Sequence, residues 1–234
     1  MKFVAVTFDY WMTLGKPEVS GEEFILDRVR KIGSVLERRG FKFTFRELYN
    51  AYIESLEECS HIRRTTYREV SVELHLEKMI SKLGVKTHID DEFKEAFVEP
   101  FYNHFKFYPD AESTLAGLRK KGYKLAVISN TPYGWAKRKH LERSGLIKYF
   151  DVLSFSDEVG VRKPSVEIFY YTLDLLGVSP GQTVHVGDSK EDIEGAQLSG
   201  LHPVLFYYGQ ELELDCWAEI LRVGKLSEIL NILE

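Results

Sequence analysis

The sequence predicts an α/β protein, with a Rossmann-like, doubly wound parallel sheet as its core and an inserted all-helical domain. Three short apolar runs alternate with helical patterns, and each run stops at polar residues. A long stretch of helical patterns separates the first apolar run from the others. Strands that alternate with helices favour a parallel sheet, because each crossover helix packs back onto a face of the sheet. A chain of 234 residues, 44% of them hydrophobic, can bury such a core and carry an insertion.

The strands of the sheet are predicted from short runs that are rich in Val and Ile and flanked by turn residues. The three clearest are Phe3–Phe8, Tyr123–Ile128 and Thr183–Val186. Two further candidates are Asp151–Phe155 and His202–Phe206. His185 falls in the middle of the third run, and we interpret it as a packing histidine of the core rather than a ligand.

Helices are predicted between these strands, where apolar residues recur at helical spacing. In chain order they are Ala111–Lys121, Trp135–Ser144, Ser165–Leu176 and Ile193–Ser199, with Leu226–Leu233 as a closing helix. Together with the strands they assign residues 1–16 and 103–234 to one α/β core.

Residues 17–102 are predicted to form the inserted helical domain, since they contain no clear strand. Breaks fall at Gly40, near Arg63–Thr66 and at Gly84–His88. The helical patterns between them are Glu22–Arg39, Arg46–Cys59, Tyr67–Leu83 and Asp91–Phe105.

The charge pattern argues against a nucleic-acid or anionic-membrane partner, because the net charge is -5 and no basic patch stands out. Two basic clusters alternate with apolar residues, so we interpret them as solvated helix faces. They are Arg28–Arg30–Lys31 and Lys137–Arg138–Lys139. The expected partner is a small molecule, with the chain acting as a monomer or homodimer.

A cytoplasmic location is expected from two features. The apolar run before Asp9 is too short for a signal peptide, and no window approaches the roughly 18 apolar residues of a membrane span. Cys59 and Cys216 are far apart and lack metal-ligand spacing, which favours reduced thiols and leaves a disulfide between them open.

Polar residues follow the predicted strands at one end, and ligands of parallel sheets bind at the carboxyl ends of strands. These residues are therefore expected to converge: Asp9, Ser129, Asn130, Lys163, Asp188 and Asp192. Crowded carboxylates repel one another, and a hard divalent cation such as Mg²⁺ relieves the repulsion. Asp9 can be a nucleophile as well as a ligand, Lys163 can hold it ionised, and the Ser129 hydroxyl can bind a phosphoryl oxygen.

These residues carry a resemblance to the haloacid dehalogenase-like hydrolase superfamily. Four motifs of that superfamily are matched in order by FDYWMTL, VISN, VRKP and VGDSKED, and the helical insert resembles its cap domain. The resemblance implies a Mg²⁺-dependent phosphatase that works through an aspartyl-phosphate. By position it makes Asp9 the nucleophile, Ser129 and Asn130 phosphate-binding residues, and Lys163 the charge organiser. It also makes Asp188 and Asp192 an acidic pair at the metal.

Trp11 departs from the resemblance, because most members have there a second Asp that acts as general acid and base. Its backbone carbonyl is still implied as a metal ligand, and its indole is expected to wall the substrate pocket. An aromatic residue at this position also suits a metal-independent 2-haloacid dehalogenase, whose halide leaving group needs no proton. Asp188, an extra carboxylate for such a site, favours Mg²⁺ and phosphate.

Three functions therefore stay open at this point: a phosphatase, which we favour, a dehalogenase-type hydrolase, and a non-catalytic small-molecule-binding protein. For a phosphatase, the resemblance implies small sugar or triose phosphates, such as glyceraldehyde 3-phosphate, as substrates.

Overall fold

The computed structural model describes residues 3–208 and 220–233. Contacts divide the chain into two compact units, Met1–Lys16 with Phe107–Glu234, and Pro17–Lys106. The chain returns to the first unit at residues 106–107 rather than at 102–103, because the last helix of the insert continues to His104 and a short strand follows it. In the described part of the chain, no helix has the length and apolar character needed to cross a membrane.

The strands and helices of the described residues are as follows. The strands are β1 (Ala5–Phe8), β2 (Gly15–Pro17), β3 (Phe105–Phe107), β4 (Lys124–Ser129), β5 (Val152–Phe155), β6 (Thr183–Gly187), β7 (His202–Phe206) and β8 (Leu221–Val223). The helices are α1 (Gly21–Arg38), α2 (Phe45–Thr66), α3 (Val72–Lys82), α4 (Asp91–His104), α5 (Ala111–Lys120), α6 (Gly134–Arg143), α7 (Ser156–Val159), α8 (Val166–Leu176), α9 (Lys190–Leu198) and α10 (Ile229–Ile232).

The core of the first unit is a parallel sheet with the strand order β5-β4-β1-β6-β7-β8. Helices flank it, so the predicted α/β, Rossmann-like fold class is confirmed. All five predicted strands are present. The sequence patterns missed β2, β3 and β8, which have three residues each and are too short to show a period.

The central strands are apolar because they are covered on both faces. All four residues of β1 and all five of β6 are buried. Phe8 pairs with Val127 of β4 on one side and with Val186 of β6 on the other. This register brings the carboxyl ends of the three strands to the same level of the sheet.

Helices α8 and α9 pack against the sheet through one apolar cluster, whose buried members are Ile128, Ile168, Phe169, Leu173, Ala196 and Leu201. Helix α9 begins at Lys190, earlier than predicted, because Ser189 caps it. The Ser189 hydroxyl accepts from the Asp192 amide, and the Asp192 carboxylate accepts from the Ser189 amide. The predicted closing helix is a 3₁₀ turn, Leu226–Glu228, followed by the short α10.

The second unit, Pro17–Lys106, contains the helices α1 to α4, the last residue of β2 and the first two residues of β3. Each helix starts at a polar side chain that accepts a hydrogen bond from the first turn: Ser20, Thr44, Ser71 and Asp90. Helix α2 continues to Thr66, beyond its predicted end at Cys59, and stops where Tyr67 takes a left-handed conformation. The Cys59 thiol is buried and free, and Cys216 lies outside the described residues.

Arg28 corrects one prediction, since it was assigned to a solvated helix face and is only 7% exposed. Its Nε donates to the Phe97 carbonyl at 2.7 Å, and its Nη1 donates to the Tyr52 hydroxyl at 3.1 Å. The guanidinium also lies 4.1 Å from the centre of the Phe97 ring. Hydrogen bonds and an aromatic face together stabilise a buried guanidinium, which periodicity alone cannot reveal.

Candidate active site

Three carboxylates meet where the central strands end. Asp9 directly follows β1, Asp188 follows β6, and Asp192 lies in the first turn of α9. One oxygen atom from each lies within 4.8 Å of the others. The amide of Asp9 still donates to the Val186 carbonyl at 2.9 Å, so the sheet itself fixes its backbone. Three of the residues predicted to converge are therefore together.

Lys163 lies among these carboxylates, in the loop between α7 and α8. Its Nζ donates to Asp9 Oδ1 at 2.6 Å, to the Ile128 carbonyl at 2.7 Å, and to Asp192 Oδ1. Burial acts to lower the pKa of Lys163, but the charges of Asp192 and Asp9 outweigh it and leave the pKa above its ordinary value. Lys163 is therefore a fixed cation that holds Asp9 and Asp192 side by side.

Asn130 holds the backbone of Lys163 in place. Its Oδ1 accepts from the Lys163 amide at 2.8 Å, and its Nδ2 donates to the Lys163 carbonyl at 3.1 Å. These bonds explain an amide at this position without a substrate. The contact of Asn130 with substrate stays a prediction.

Asp188 is the carboxylate with the least compensation. Burial, together with the charges of Asp9 and Asp192, raises the pKa of Asp188 to about 8. The positive charge of Lys163 and a hydrogen bond from the Thr13 hydroxyl to Asp188 Oδ1 at 3.1 Å oppose this effect but do not outweigh it. The protein alone thus does not stabilise Asp188 as an anion, whereas a divalent cation bound beside it would. Thr13 was not singled out from the sequence, although it lies inside the FDYWMTL motif.

Asp192 is surrounded by donors. Its Oδ1 accepts from Lys163 and from His185 Nε2 at 3.1 Å, and its Oδ2 accepts from the Ser189 hydroxyl at 2.6 Å and the Ser189 amide at 3.1 Å. Burial acts to raise the pKa of Asp192, but Lys163 and His185 outweigh it, so the pKa lies below its ordinary value. Asp192 is an anion whose lone pairs are largely occupied, which leaves Asp9 and Asp188 as the more open oxygen ligands.

His185 is buried in β6, where the sequence placed a packing histidine, but it also joins the polar site. Its Nε2 faces Asp192, and its Nδ1 lies 2.8 Å from the Thr7 hydroxyl. Burial lowers the pKa of His185, so the ring is neutral. Since Asp192 is an acceptor, Nε2 must carry the proton and Nδ1 must accept from Thr7.

Ser129 ends β4 and is fully buried. Its Oγ accepts a hydrogen bond of 2.9 Å from Lys137 Nζ. Lys137 corrects a second prediction: it was assigned to a solvated helix face and is 1% exposed, with its ammonium 4.8 Å from the centre of the Tyr10 ring. The signal that could have found it is its spacing from Leu141, which places both on the buried side of α6.

Trp11 lies in the turn after β1 and bridges to the backbone of Gly15. Its side chain is half-buried. An indole N–H donates hydrogen bonds but does not exchange its proton at neutral pH. Its carbonyl as a metal ligand and its indole as a pocket wall stay predictions.

The chain resembles known hydrolases over most of its length. Residues 5–200 match the family model of the haloacid dehalogenase-like hydrolases. The chain is 32% identical over 203 residues to a phosphoglycolate phosphatase of Aquifex aeolicus (strain VF5), covering 80% of this chain and 94% of the relative. It is 41% identical over 112 residues to a glyceraldehyde 3-phosphate phosphatase of Methanothermobacter thermautotrophicus, covering 44% and 48%. A solved HAD phosphatase from Thermococcus onnurineus aligns with a TM-score of 0.71 and 28% identity, covering 100% of this chain and 98% of that one.

Proposed function

The chain belongs to the haloacid dehalogenase-like hydrolase family, and we propose that it is a Mg²⁺-dependent phosphatase of small phosphomonoesters. The observation that carries the proposal is Asp188, a third carboxyl group beside Asp9 and Asp192 that the protein does not stabilise as an anion. Without a cation this group holds a proton up to about pH 8, so a metal-independent dehalogenase would have no use for it, whereas a bound divalent cation would favour its carboxylate form. The relatives named phosphatases support the same choice.

The residues present fit a hard divalent cation. Mg²⁺ takes oxygen ligands and commonly binds through one or two carboxylates together with water and substrate phosphate. Asp9 and Asp188 would hold it, with Asp192 and the Trp11 carbonyl as further oxygen donors. When bound, Mg²⁺ supplies positive charge that offsets the carboxylates and the phosphoryl group.

Asp9 would act as the nucleophile. A carboxylate oxygen attacks phosphorus, an O–P bond forms to Asp9, and the bond from phosphorus to the leaving oxygen breaks with both of its electrons. Lys163 orients the Asp9 carboxylate through the 2.6 Å bond. The Ser129 hydroxyl donates to a phosphoryl oxygen. Water then attacks the aspartyl-phosphate, which releases inorganic phosphate and restores the Asp9 carboxylate.

Trp11 offers no proton to the leaving oxygen, which would take it from water or from another side chain. Esters whose leaving groups have low pKa values are therefore the better substrates. We propose small sugar or triose phosphates, such as glyceraldehyde 3-phosphate, as the natural substrates. Their leaving groups are alcohols of high pKa, so we expect their chemical step to be slower than that of p-nitrophenyl phosphate. The relative named a glyceraldehyde 3-phosphate phosphatase supports that class, and the relative named a phosphoglycolate phosphatase supports small phosphomonoesters more broadly. We further propose that the helical unit Pro17–Lys106 is the cap domain of this family.

The test is hydrolysis of p-nitrophenyl phosphate with Mg²⁺ and with a chelator. We expect turnover when Mg²⁺ is present and none with the chelator, and we expect Asp9→Asn to abolish it. The control is Asp174→Asn, which makes the same change at an exposed position of α8 and should leave turnover intact. Halide release from 2-chloropropionate in the presence of chelator would overturn the proposal in favour of a dehalogenase. If neither substrate reacts and the melting temperature rises with a ligand such as inorganic phosphate, the non-catalytic binding protein is the better interpretation.

A further inference from the structure

Lys137 is a second buried lysine at the end of the sheet, and its environment differs from that of Lys163. Its ammonium bonds Ser129 Oγ and lies over the ring of Tyr10, the residue after Asp9. The Tyr10 hydroxyl in turn lies 2.7 Å from Nδ1 of His140, which is one turn further along α6. His140 is stacked on Phe107 with 4.8 Å between ring centres. Helix α6 and its aromatic neighbours thus hold the ammonium in one place.

The bond between Lys137 and Ser129 has only one possible direction. An ammonium carries donors and no acceptor, so the Ser129 oxygen must be the acceptor. The hydroxyl proton of Ser129 must then point elsewhere. In the described part of the chain, residues 3–208 and 220–233, the Ser129 hydroxyl accepts this bond and donates none to another residue. A buried hydroxyl with an unused donor is uncommon in folded proteins, and it suits a ligand that brings its own acceptor oxygen.

We infer that Lys137 is a positioning residue, which turns the Ser129 hydroxyl toward a phosphoryl oxygen and adds positive charge beside it. The inference rests on the proposed function and deepens it. It assigns to α6 a role in binding the phosphoryl group that is separate from the carboxylate and Lys163 cluster. Electrostatic attraction in a buried site is much stronger than in water. An ammonium bonded to Ser129 Oγ at 2.9 Å should therefore strengthen the binding of a phosphoryl group to that hydroxyl.

The experiment compares wild type with Lys137→Met, Ser129→Ala and the double variant. The measured quantities are kcat and KM for p-nitrophenyl phosphate and the inhibition constant of inorganic phosphate. A hydrogen bond that involves a charged group is typically worth about a 10- to 100-fold effect, so Lys137→Met should lower kcat/KM and weaken phosphate inhibition by that factor. Because Lys137 acts through Ser129, the double variant should lose little more than the worse single variant.

Three controls separate positioning from structural damage. Lys139→Met makes the same change on the same helix and should leave all constants near wild type. The rise in melting temperature with Mg²⁺ should persist in Lys137→Met, since the role inferred for Lys137 acts on the phosphoryl group through Ser129 and not on the cation. In Lys137→Ala, ethylammonium should restore part of the lost kcat/KM, because it returns an ammonium to the vacated space.

The outcomes for Lys137 and for the overall function are distinguishable. If wild type shows Mg²⁺-dependent turnover, while Lys137→Met keeps the wild-type phosphate inhibition constant or the two single effects simply multiply, the role of Lys137 is wrong and the phosphatase stands. If Lys137→Met does not fold, lack of rescue of Lys137→Ala by ethylammonium overturns the inference. If wild type neither hydrolyses phosphate esters nor is stabilised by inorganic phosphate, both proposals fail.

Discussion

Trp11 is the residue at which this chain departs most from the motif that it otherwise matches. It stands where the general acid and base is expected, and the residues that bracket it, Asp9 and Thr13, are both engaged in the carboxylate cluster. The chain therefore keeps the proposed nucleophile, Asp9, and the Lys163 ammonium that orients it. It lacks a proton donor in the turn that follows β1. The chemical step should in consequence depend strongly on the leaving group.

Replacing Trp11 with Asp should restore a proton donor. General acid catalysis is commonly worth about 10² to 10⁴ in rate, and it matters most for leaving groups with high pKa values. Trp11→Asp should therefore raise kcat for an alkyl phosphate relative to p-nitrophenyl phosphate, by up to about 10²-fold. Trp11→Asn introduces a side chain of the same shape as Asp but without an acidic proton, so it should not raise this ratio. If the ratio of kcat for the alkyl phosphate to kcat for p-nitrophenyl phosphate were the same in Trp11→Asp and Trp11→Asn, the proton would come from another group.

The junction between β6 and α9 is the element that assembles the site. Gly187 ends the strand, Asp188 follows it, and the capping box of Ser189 and Asp192 opens the helix. A Cβ atom at Gly187 would lie 2.2 Å from Cγ of Asp192. The absence of a side chain there is what lets the Asp192 carboxylate reach back to both Ser189 and Lys163.

Gly187→Ala should therefore push Asp192 away from Lys163. Overpacking of this kind lowers the free energy of unfolding by about 1–3 kcal/mol. Loss of the hydrogen bond between Lys163 and Asp192 should also reduce kcat, by more than the lower stability alone explains. Gly21→Ala is the matched control, since a Cβ at that position meets nothing within 4 Å. The measurements are kcat at saturating Mg²⁺ and the melting temperature. Full activity in Gly187→Ala would mean that the position of Asp192 is not critical.

At the scale of the whole molecule, the carboxylate cluster couples folding to pH. The pKa of Asp188 is raised to about 8 by burial and by Asp9 and Asp192, whereas an unfolded Asp titrates near 3.8. Between these values the folded chain holds a proton that the unfolded chain has released. The free energy of unfolding must then fall as pH rises through this window. Bound Mg²⁺ would remove the penalty, because it binds the folded state and offsets the charge.

The metal-free protein should accordingly lose stability from pH 6.5 to 8, and Asp188→Asn should not. A difference of one bound proton corresponds to a fall of roughly 3–5 °C in melting temperature per pH unit for a chain of this size. The two buried histidines do not confuse the test, since the pKa values of His185 and His75 are lowered, mainly by burial, and both are neutral above pH 6.5. If the melting temperatures of wild type and Asp188→Asn changed equally with pH across this range, the account would be contradicted.

Much of the fold and the first layer of the site could be predicted from the sequence. Runs of Val and Ile marked the five longer strands, and polar residues after them located Asp9, Ser129 and Asp188. The three-residue strands β2, β3 and β8 could not be found, because they are shorter than any period. Arg28 and Lys137 were assigned to solvent because charge within a helical pattern usually means exposure. Only the fold shows the aromatic rings and oxygen acceptors that stabilise them.

The connection between His185 and the site was also invisible in one dimension. A histidine inside an apolar strand is ordinarily a packing residue, and this one is buried as expected. Its two ring nitrogens nevertheless bridge Thr7 of β1 and Asp192 of α9, which only the strand register brings together.

The most direct test of the central claim is covalent labelling of Asp9 from a phosphate ester that carries ³²P in its phosphoryl group. The protein is mixed with the ester and Mg²⁺, quenched with acid, and digested, and the labelled peptide is identified. The account predicts a hydroxylamine-labile label on the peptide that contains Asp9, which is absent with chelator and absent in Asp9→Asn. Turnover without any label on that peptide, or a label on another residue, would contradict it.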